Sequence, residues 1–398
     1  MVPETEGKVE KTMILTPQQQ EIQRLAREFT EKNIIPVAGE YDRSGEFPEF
    51  IINKAKEAGL LDMAIPKQFG GRGLDAVTQG IVLEEIGYGC AAFATIIGVS
   101  ILGFCPVMLA GTDEQKKFYL DPVVQGGLAA FALTEPGAGS DVGAAKTTAR
   151  KEGNEYLLNG SKCFITSGGY AKVFTIFALT DPTKGVRGLS AFLVKAGQPG
   201  LIVAKHENKL GIRGSNTVEL LIQDLRVPAS QLLGKEGDGM KIAMGSLDIT
   251  RPMIGAQSVG IAQRALDECL KYFQNKYPDP RKLGQAAQFR LAEMRIQTEA
   301  ARQTVRHALA VRDAGLPYTV ESAIAKTMGS DTAMRVATDA LELLGAHGYS
   351  HDCVVEKLVR DAKIQQIYEG TNQVQRLVIA GQLMASIQPQ AQAAKAGR

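Results

Sequence analysis

From Ile86 to Thr112 the chain carries no charged side chain. A stretch of that length can cross a bilayer, or it can be a helix at the centre of a helical domain, apolar on every side because it is packed on every side. Its composition argues for the second. Gly87, Gly89, Gly98, Gly103, Gly111 and Pro106 interrupt it, Thr95 and Ser100 add hydroxyls, and leucines are few. The expectation is a buried central helix, no membrane span, and a helical domain built around it.

The flanks agree. Thr16-Pro17-Gln18-Gln19 supplies an N-cap, a first-turn proline and a capping-box partner. Ile22, Leu25, Ala26 and Phe29 follow at helical spacing, with Pro36 expected to limit that helix. A second helix is predicted over Pro48–Ala58, a turn-rich loop over Ile65–Gly73, and more helix over Ala76–Glu85 and Asp113–Leu120. Residues 1–128 therefore read as all-helical. From there to Val227 the pattern changes to short β-prone runs separated by Gly, Asn, Asp and Pro turns: Thr147–Arg150, Tyr156–Leu158, Val173–Leu179, Leu189–Val194 and Thr217–Ile222. That spacing predicts an antiparallel sandwich or barrel over 129–237. Beyond Asp238 helical periodicity returns, in a helix through Val259–Phe273, one ending at Gly315, one over Ser322–Leu344 and a last one around Val374–Met384. The Ala- and Gln-rich tail from Gln388 is expected to fray. The fold class is α+β, with helical domains at 1–128 and 238–398 flanking a middle antiparallel β-domain.

With 398 residues, two or three domains fit this division. A net charge of +2 without a clustered basic face argues against nucleic acid. The five cysteines are scattered, none in a Cys-x-x-Cys, so neither a disulfide framework nor a metal site is expected. His347 and His351 are separated by a glycine turn and are not read as metal ligands. Residues 1–14 lack a signal or transit pattern, which implies a cytoplasmic protein or a mature mitochondrial matrix protein.

Chemistry concentrates near the C-terminus. In Arg360-Asp-Ala-Lys-Ile-Gln-Gln-Ile-Tyr-Glu369-Gly-Thr-Asn-Gln-Val-Gln-Arg376, Glu369 is the one carboxylate between Ala362 and Arg376. Ile367 and Tyr368 precede it and Gly370 follows. A carboxylate beside apolar groups is partly desolvated, so its pKa rises and it becomes a better base. The alternative is a plain helix end, with Thr371 or Asn372 capping the next helix. A second block, Phe131-Ala-Leu-Thr-Glu-Pro-Gly-Ala-Gly-Ser140-Asp141, offers exposed backbone N–H groups to an electron-rich ligand. Its glycines are wrongly spaced for a dinucleotide fingerprint, and it can equally be a turn between helix and sheet.

Together, Ile367-Tyr-Glu-Gly-Thr371, Arg360-Asp-Ala-Lys363 and the glycine block resemble the acyl-CoA dehydrogenases, from about Leu15 to about Met384. The resemblance implies an N-terminal helical domain, a middle β-domain and a C-terminal four-helix bundle. It also implies FAD as cofactor, an acyl-CoA substrate, electron-transfer flavoprotein as partner and a homotetramer. Glu369 would take the α-proton while the β-hydrogen leaves as hydride to the flavin. Phe131, Leu133, Thr134, Gly139 and Ser140 would line the flavin, Ser140 also meeting CoA. Phe164, where the family commonly has Trp, would pack on the ring beside Ile165, and Thr166 would bond near N5, favouring the reduced flavin. Asp248, Arg251, Tyr368 and Gly370 would contact the substrate. Thr250 stands where branched-chain relatives carry their Glu. Glu342, Gly345 and Ala346 resemble the turn that meets FAD from a neighbouring subunit, and Thr371 and Gln373 would touch its adenosine half. Where the family has an Arg-x-x-Phe-Gly, this chain has Gln274-Asn-Lys-Tyr277-Pro278. Tyr277 and Gln285 keep family positions, and the missing charge falls to Lys276 or Arg281. Gly98, where medium-chain members carry a larger residue, implies a roomier acyl pocket. The same fold could run as an enoyl-CoA reductase, with Glu369 as proton donor, or serve as a non-catalytic CoA-binding scaffold.

Overall fold

A computed structural model describes residues 14–277 and 279–396. The segment read for targeting signals, up to residue 13, and Pro278 lie outside the described residues. Helix α1 (Pro17–Phe29) starts at the expected capping box, with Thr16 accepting from the Gln19 N–H and the Gln19 side chain bonding back. Pro36 does not end it. A π-turn (Thr30–Ile34) leads directly into α2 (Ile35–Ser44), so Pro36 sits in a first helical turn, where its missing N–H costs little. After α3 (Glu49–Glu57) come α4 (Ala76–Gly89), α5 (Ala91–Ala110) and α6 (Asp113–Val124). The charge-free run is α4's end and α5. By length and composition α5 could span a membrane, yet 89% of its most apolar window is buried inside the protein. It is a core helix.

Eight strands follow: β1 (Leu128–Ala132), β2 (Thr148–Glu152), β3 (Glu155–Thr166), β4 (Ala171–Leu179), β5 (Leu189–Lys195), β6 (Leu201–His206), β7 (Thr217–Pro228) and β8 (Leu232–Leu233). They run in the order β6-β7-β3-β2-β4-β5-β8, with β1 on β4. Most ladders are antiparallel, but β1 and β2 both pair with β4 in parallel. The faces of β4 explain the packing. Val173, Phe177 and Leu179 join the helical core, while Phe174, Ile176 and Ala178 join a separate core between strands. Strand β6 escaped the sequence reading because it is exposed almost throughout and shows no alternation.

The second helical part contains α7 (Gly239–Lys276), α8 (Gln285–Asp313), α9 (Thr319–Leu344), α10 (Ala346–Tyr349), α11 (Val354–Gln365) and α12 (Asn372–Ala396). The tail expected to fray from Gln388 instead continues α12. Helix α7 is the axis of this part. A Cβ on Gly255 would lie 2.7 Å from the Ala325 carbonyl, and one on Gly329 would lie 2.7 Å from the Gly255 carbonyl, so the two glycines let α7 and α9 cross at backbone contact. That crossing brings α9 side chains under the loop between α11 and α12, where Glu369 sits.

Candidate active site

Glu369 has a left-handed backbone, φ 52°, an uncommon conformation for a residue with a Cβ. Gly370 follows at φ 89°, and a Cβ there would collide with the Gln375 amide at 2.4 Å. The paired left-handed residues turn the Glu369 side chain inward. Its Oε2 accepts from the Thr250 hydroxyl at 2.7 Å. Its Oε1 is buried and has no partner among the described residues. Desolvation pushes its pKa up to about 7, against the Thr250 hydrogen bond and the charges of Arg251 and Lys326. Its own N–H donates to none of the described residues. A base with one free oxygen, a pKa near neutrality and a bare N–H beside it can take a proton from carbon while polarising an adjacent carbonyl.

Behind the turn, Lys326 Nζ donates to the Gly370 carbonyl at 2.9 Å, and Gln375 Nε2 reaches the same oxygen at 3.2 Å. Beside it the Tyr368 hydroxyl lies in a network with Thr95 of α5, Gln257 of α7 and Gln365 of α11. Tyr368 therefore ties the loop to the charge-free helix. The plain reading of this stretch holds alongside the chemical one, since the Thr371 hydroxyl accepts from the Val374 N–H and caps α12.

The glycine loop leaves the end of β1. Phe131 packs on Phe177 with centroids 4.9 Å apart. Leu133 is buried, and the carbonyls of Leu133 and Thr134 accept from Lys162 Nζ and the Cys163 N–H. Gly139 and Ser140 are exposed, and a Cβ on Gly137 or Gly139 would meet nothing within 4 Å. The loop is pinned from below by Glu135, which accepts from the Lys146 and Thr147 N–H groups and from Lys162 Nζ at 2.7 Å. Sequence reading missed this buried pair. A lysine inside a β-prone run and a glutamate before a proline carry no signal of mutual contact.

Phe164 sits at a register shift of β3 on β7, with φ 55° and 64% of its surface exposed. An exposed aromatic on a strained residue matches a ring that waits for a flat partner. Strand alternation turns the Ile165 side chain into the inter-strand core, which leaves its main chain to face a ligand. Thr166, the last residue of β3, is half-buried.

Arg251 is engaged within the chain. It was expected at the substrate, but it is 3% exposed, paired with Asp248 at 2.6 Å and directed at the Glu369 carbonyl at 3.4 Å. Its guanidinium braces the Glu369 backbone, because the turn's inward carbonyl needs a donor. Asp248 also accepts from Thr319. Thr250, singled out only for not being a glutamate, proves to touch Glu369.

Tyr277, Gln285, Glu342, Gly345 and Ala346 lie elsewhere. Arg251 and Tyr277 bracket most of α7, roughly 40 Å of helix at about 1.5 Å per residue. At that far end Glu342 pairs with Arg290 at 3.2 Å, Tyr277 stacks near Phe273, and Gly345 breaks α9 from α10. Arg281 is tied to Asp279 at 2.9 Å, whereas the Lys276 ammonium lies over the Tyr272 and Tyr277 rings. These residues cannot share a ligand with Glu369 inside one chain.

Residues 16–127, 130–225 and 237–384 match, in order, the family models described as acyl-CoA dehydrogenase N-terminal, middle and C-terminal domains. The chain belongs to the acyl-CoA dehydrogenase family and is an oxidoreductase of that family. Among its relatives is the acryloyl-CoA reductase (NADH) of Anaerotignum propionicum, 46% identical over 375 residues, covering 93% of this chain and 95% of that one. In structure it resembles the butyryl-CoA dehydrogenase of Megasphaera elsdenii, with TM-score 0.90 and 41% identity over 93% of this chain and 99% of that one. It likewise resembles a chain solved in work on the electron transferring flavoprotein of Acidaminococcus fermentans, with TM-score 0.90 and 42% identity over 93% and 98%.

Proposed function

We propose that the protein catalyses α,β-dehydrogenation of an acyl-CoA thioester to the trans-2-enoyl-CoA, with Glu369 as the base and electron-transfer flavoprotein as the electron acceptor. The carrying observation is the orphaned, buried Oε1 of Glu369. The Thr250 hydroxyl occupies Oε2, which leaves Oε1 to receive the α-proton. The bare Glu369 N–H supplies one donor to the thioester oxygen as it gains charge, worth about 3–4 kcal/mol in comparable sites. The open cradle at Gly137 and Gly139 and the exposed, strained Phe164 fit FAD. Thr134, Gly139, Ser140, Phe164 and Thr166 would hold it, Thr371 and Gln373 would meet its adenosine half, and FAD when bound supplies the hydride acceptor. The distant set, Tyr277, Gln285, Glu342, Gly345 and Ala346, would serve the FAD of a partner copy in a homotetramer, with Lys276 supplying the charge because Arg281 is engaged. A buried Gly98 whose added Cβ meets nothing within 4 Å supports a roomy acyl pocket.

One relative named as a reductase favours a second reading, the same site run toward reduction with protonated Glu369 as the donor. A pKa near 7 serves either direction, and the flavin potential with substrate bound separates them. In the dehydrogenase direction kcat/KM rises as pH climbs through about 7, because the base must be ionised. In the reductase direction it falls over the same window. The reading itself is tested by Glu369→Gln. The variant should bind FAD and lose at least about a thousandfold of the flavin bleaching by acyl-CoA. Retained bleaching would end the assignment.

A further inference from the structure

Lys326, on α9, has no accessible surface. Both oxygens its Nζ reaches are formally neutral, the Gly370 carbonyl at 2.9 Å and Asn372 Oδ1 at 2.7 Å. A buried ammonium is costly to hold this way, and structural lysines in this protein are paired instead: Lys162 with Glu135 at 2.7 Å and Lys357 with Asp361 at 2.5 Å. Asn372 is in turn fixed by Ser330 at 2.9 Å and by Asp331 at 2.7 Å, and Asp331 is held by Gln366 and Arg376. The assembly clamps residues 366–372 against α9 and aims Lys326 at the turn that follows the base.

We propose that Lys326 is a positioning residue for this reaction: it holds the left-handed Glu369–Gly370 turn through the Gly370 carbonyl and places a buried positive charge behind the carboxylate. The proposal rests on Glu369 being the base. The charged groups facing Lys326 are Glu369 from the loop, Asp331 from its own helix, Arg251 from α7 and Arg376 from α12. The two arginines are neutralised by Asp248 and Asp331 respectively. Glu369 is left as the facing carboxylate without a cation of its own. Burial pushes the lysine down to about 7, with Glu369 and Asp331 opposing it, so the two groups bias each other's ionisation around neutral pH.

The test is the acid limb of kcat/KM in FAD-loaded enzyme. Lys326→Met removes charge and donor, Lys326→Gln removes the charge and keeps a donor, and Lys326→Arg keeps the charge. Met and Gln should move the limb up by on the order of one pH unit, Gln losing less kcat than Met, and Arg should leave the limb in place. An unmoved limb in Met and Gln overturns the proposal. So does failure of all three, Arg included, to give folded FAD-loaded enzyme, which would assign Lys326 to the fold. Bleaching retained by Glu369→Gln would instead sink the functional reading beneath it.

Discussion

Glu135 and Glu369 are two glutamates drawn out of water within reach of a buried lysine, and they end in opposite states. Glu135 accepts two backbone N–H groups and the Lys162 ammonium, and that cation and those donors hold its carboxyl below the usual range despite burial. Glu369 accepts one hydroxyl, keeps one oxygen bare, and faces a lysine whose hydrogen bonds go to a carbonyl and an amide; desolvation dominates and raises it. Burial alone does not make a base. The count of donors aimed at the carboxylate decides whether it is a permanent anion that pins a loop or a group that exchanges protons.

The same substitution at both positions gives the widest separation. Glu135→Gln leaves Lys162 buried without its counter-charge, and the protein should lose about 3–5 kcal/mol at neutral pH, read by denaturant unfolding. Because the folded pKa of Glu135 is depressed, its contribution is present above the unfolded value and disappears as pH falls through the folded one, so the variant's deficit should shrink in acid. Glu369→Gln should show the reverse sign. The folded pKa of Glu369 is raised, so its ionisation costs stability that grows as pH rises from about 4.5 to about 7. At pH 8 the variant should be more stable than the parent by about 1–3 kcal/mol, with the gain vanishing near pH 4. Equal effects at the two sites would break the comparison. A smaller change sharpens it: Thr250→Val deletes the one donor on the Glu369 carboxylate, which should raise the base's pKa by about one unit and cut dehydrogenase kcat/KM at pH 7 by up to about tenfold, with little change at pH 9.

Local pattern carried much of this architecture. The capping box at Thr16 started its helix, and the charge-free run became α5 because a segment without charges has to be covered. Pro36 misled because its effect depends on position: a π-turn supplied a fresh helix start that composition does not show. Strands β1, β6 and β8 were overlooked, the first because Leu128-Ala-Ala-Phe-Ala132 is alanine-rich with no β-branched residue, the second because it is exposed on both faces, the third because it is two residues long. At the site, Glu369 and the glycine loop stood out as local strings. Lys162, Lys326 and the role of Thr250 did not, since each acts on a residue far away in the chain.

What the sequence determined by itself, then, is the succession of helical, strand-rich and helical segments, the family, and the candidate acid, Glu369. These are properties of neighbouring residues and of short strings, so they survive being read in one dimension. Tertiary structure alone decided that Thr250, Arg251 and Lys326 converge on that acid, that Ile165 faces inward, and that the residues around Tyr277 stand at the other end of a long helix. Desolvation and charge act through space, and the α7–α9 crossing, not sequence distance, sets which groups Glu369 feels.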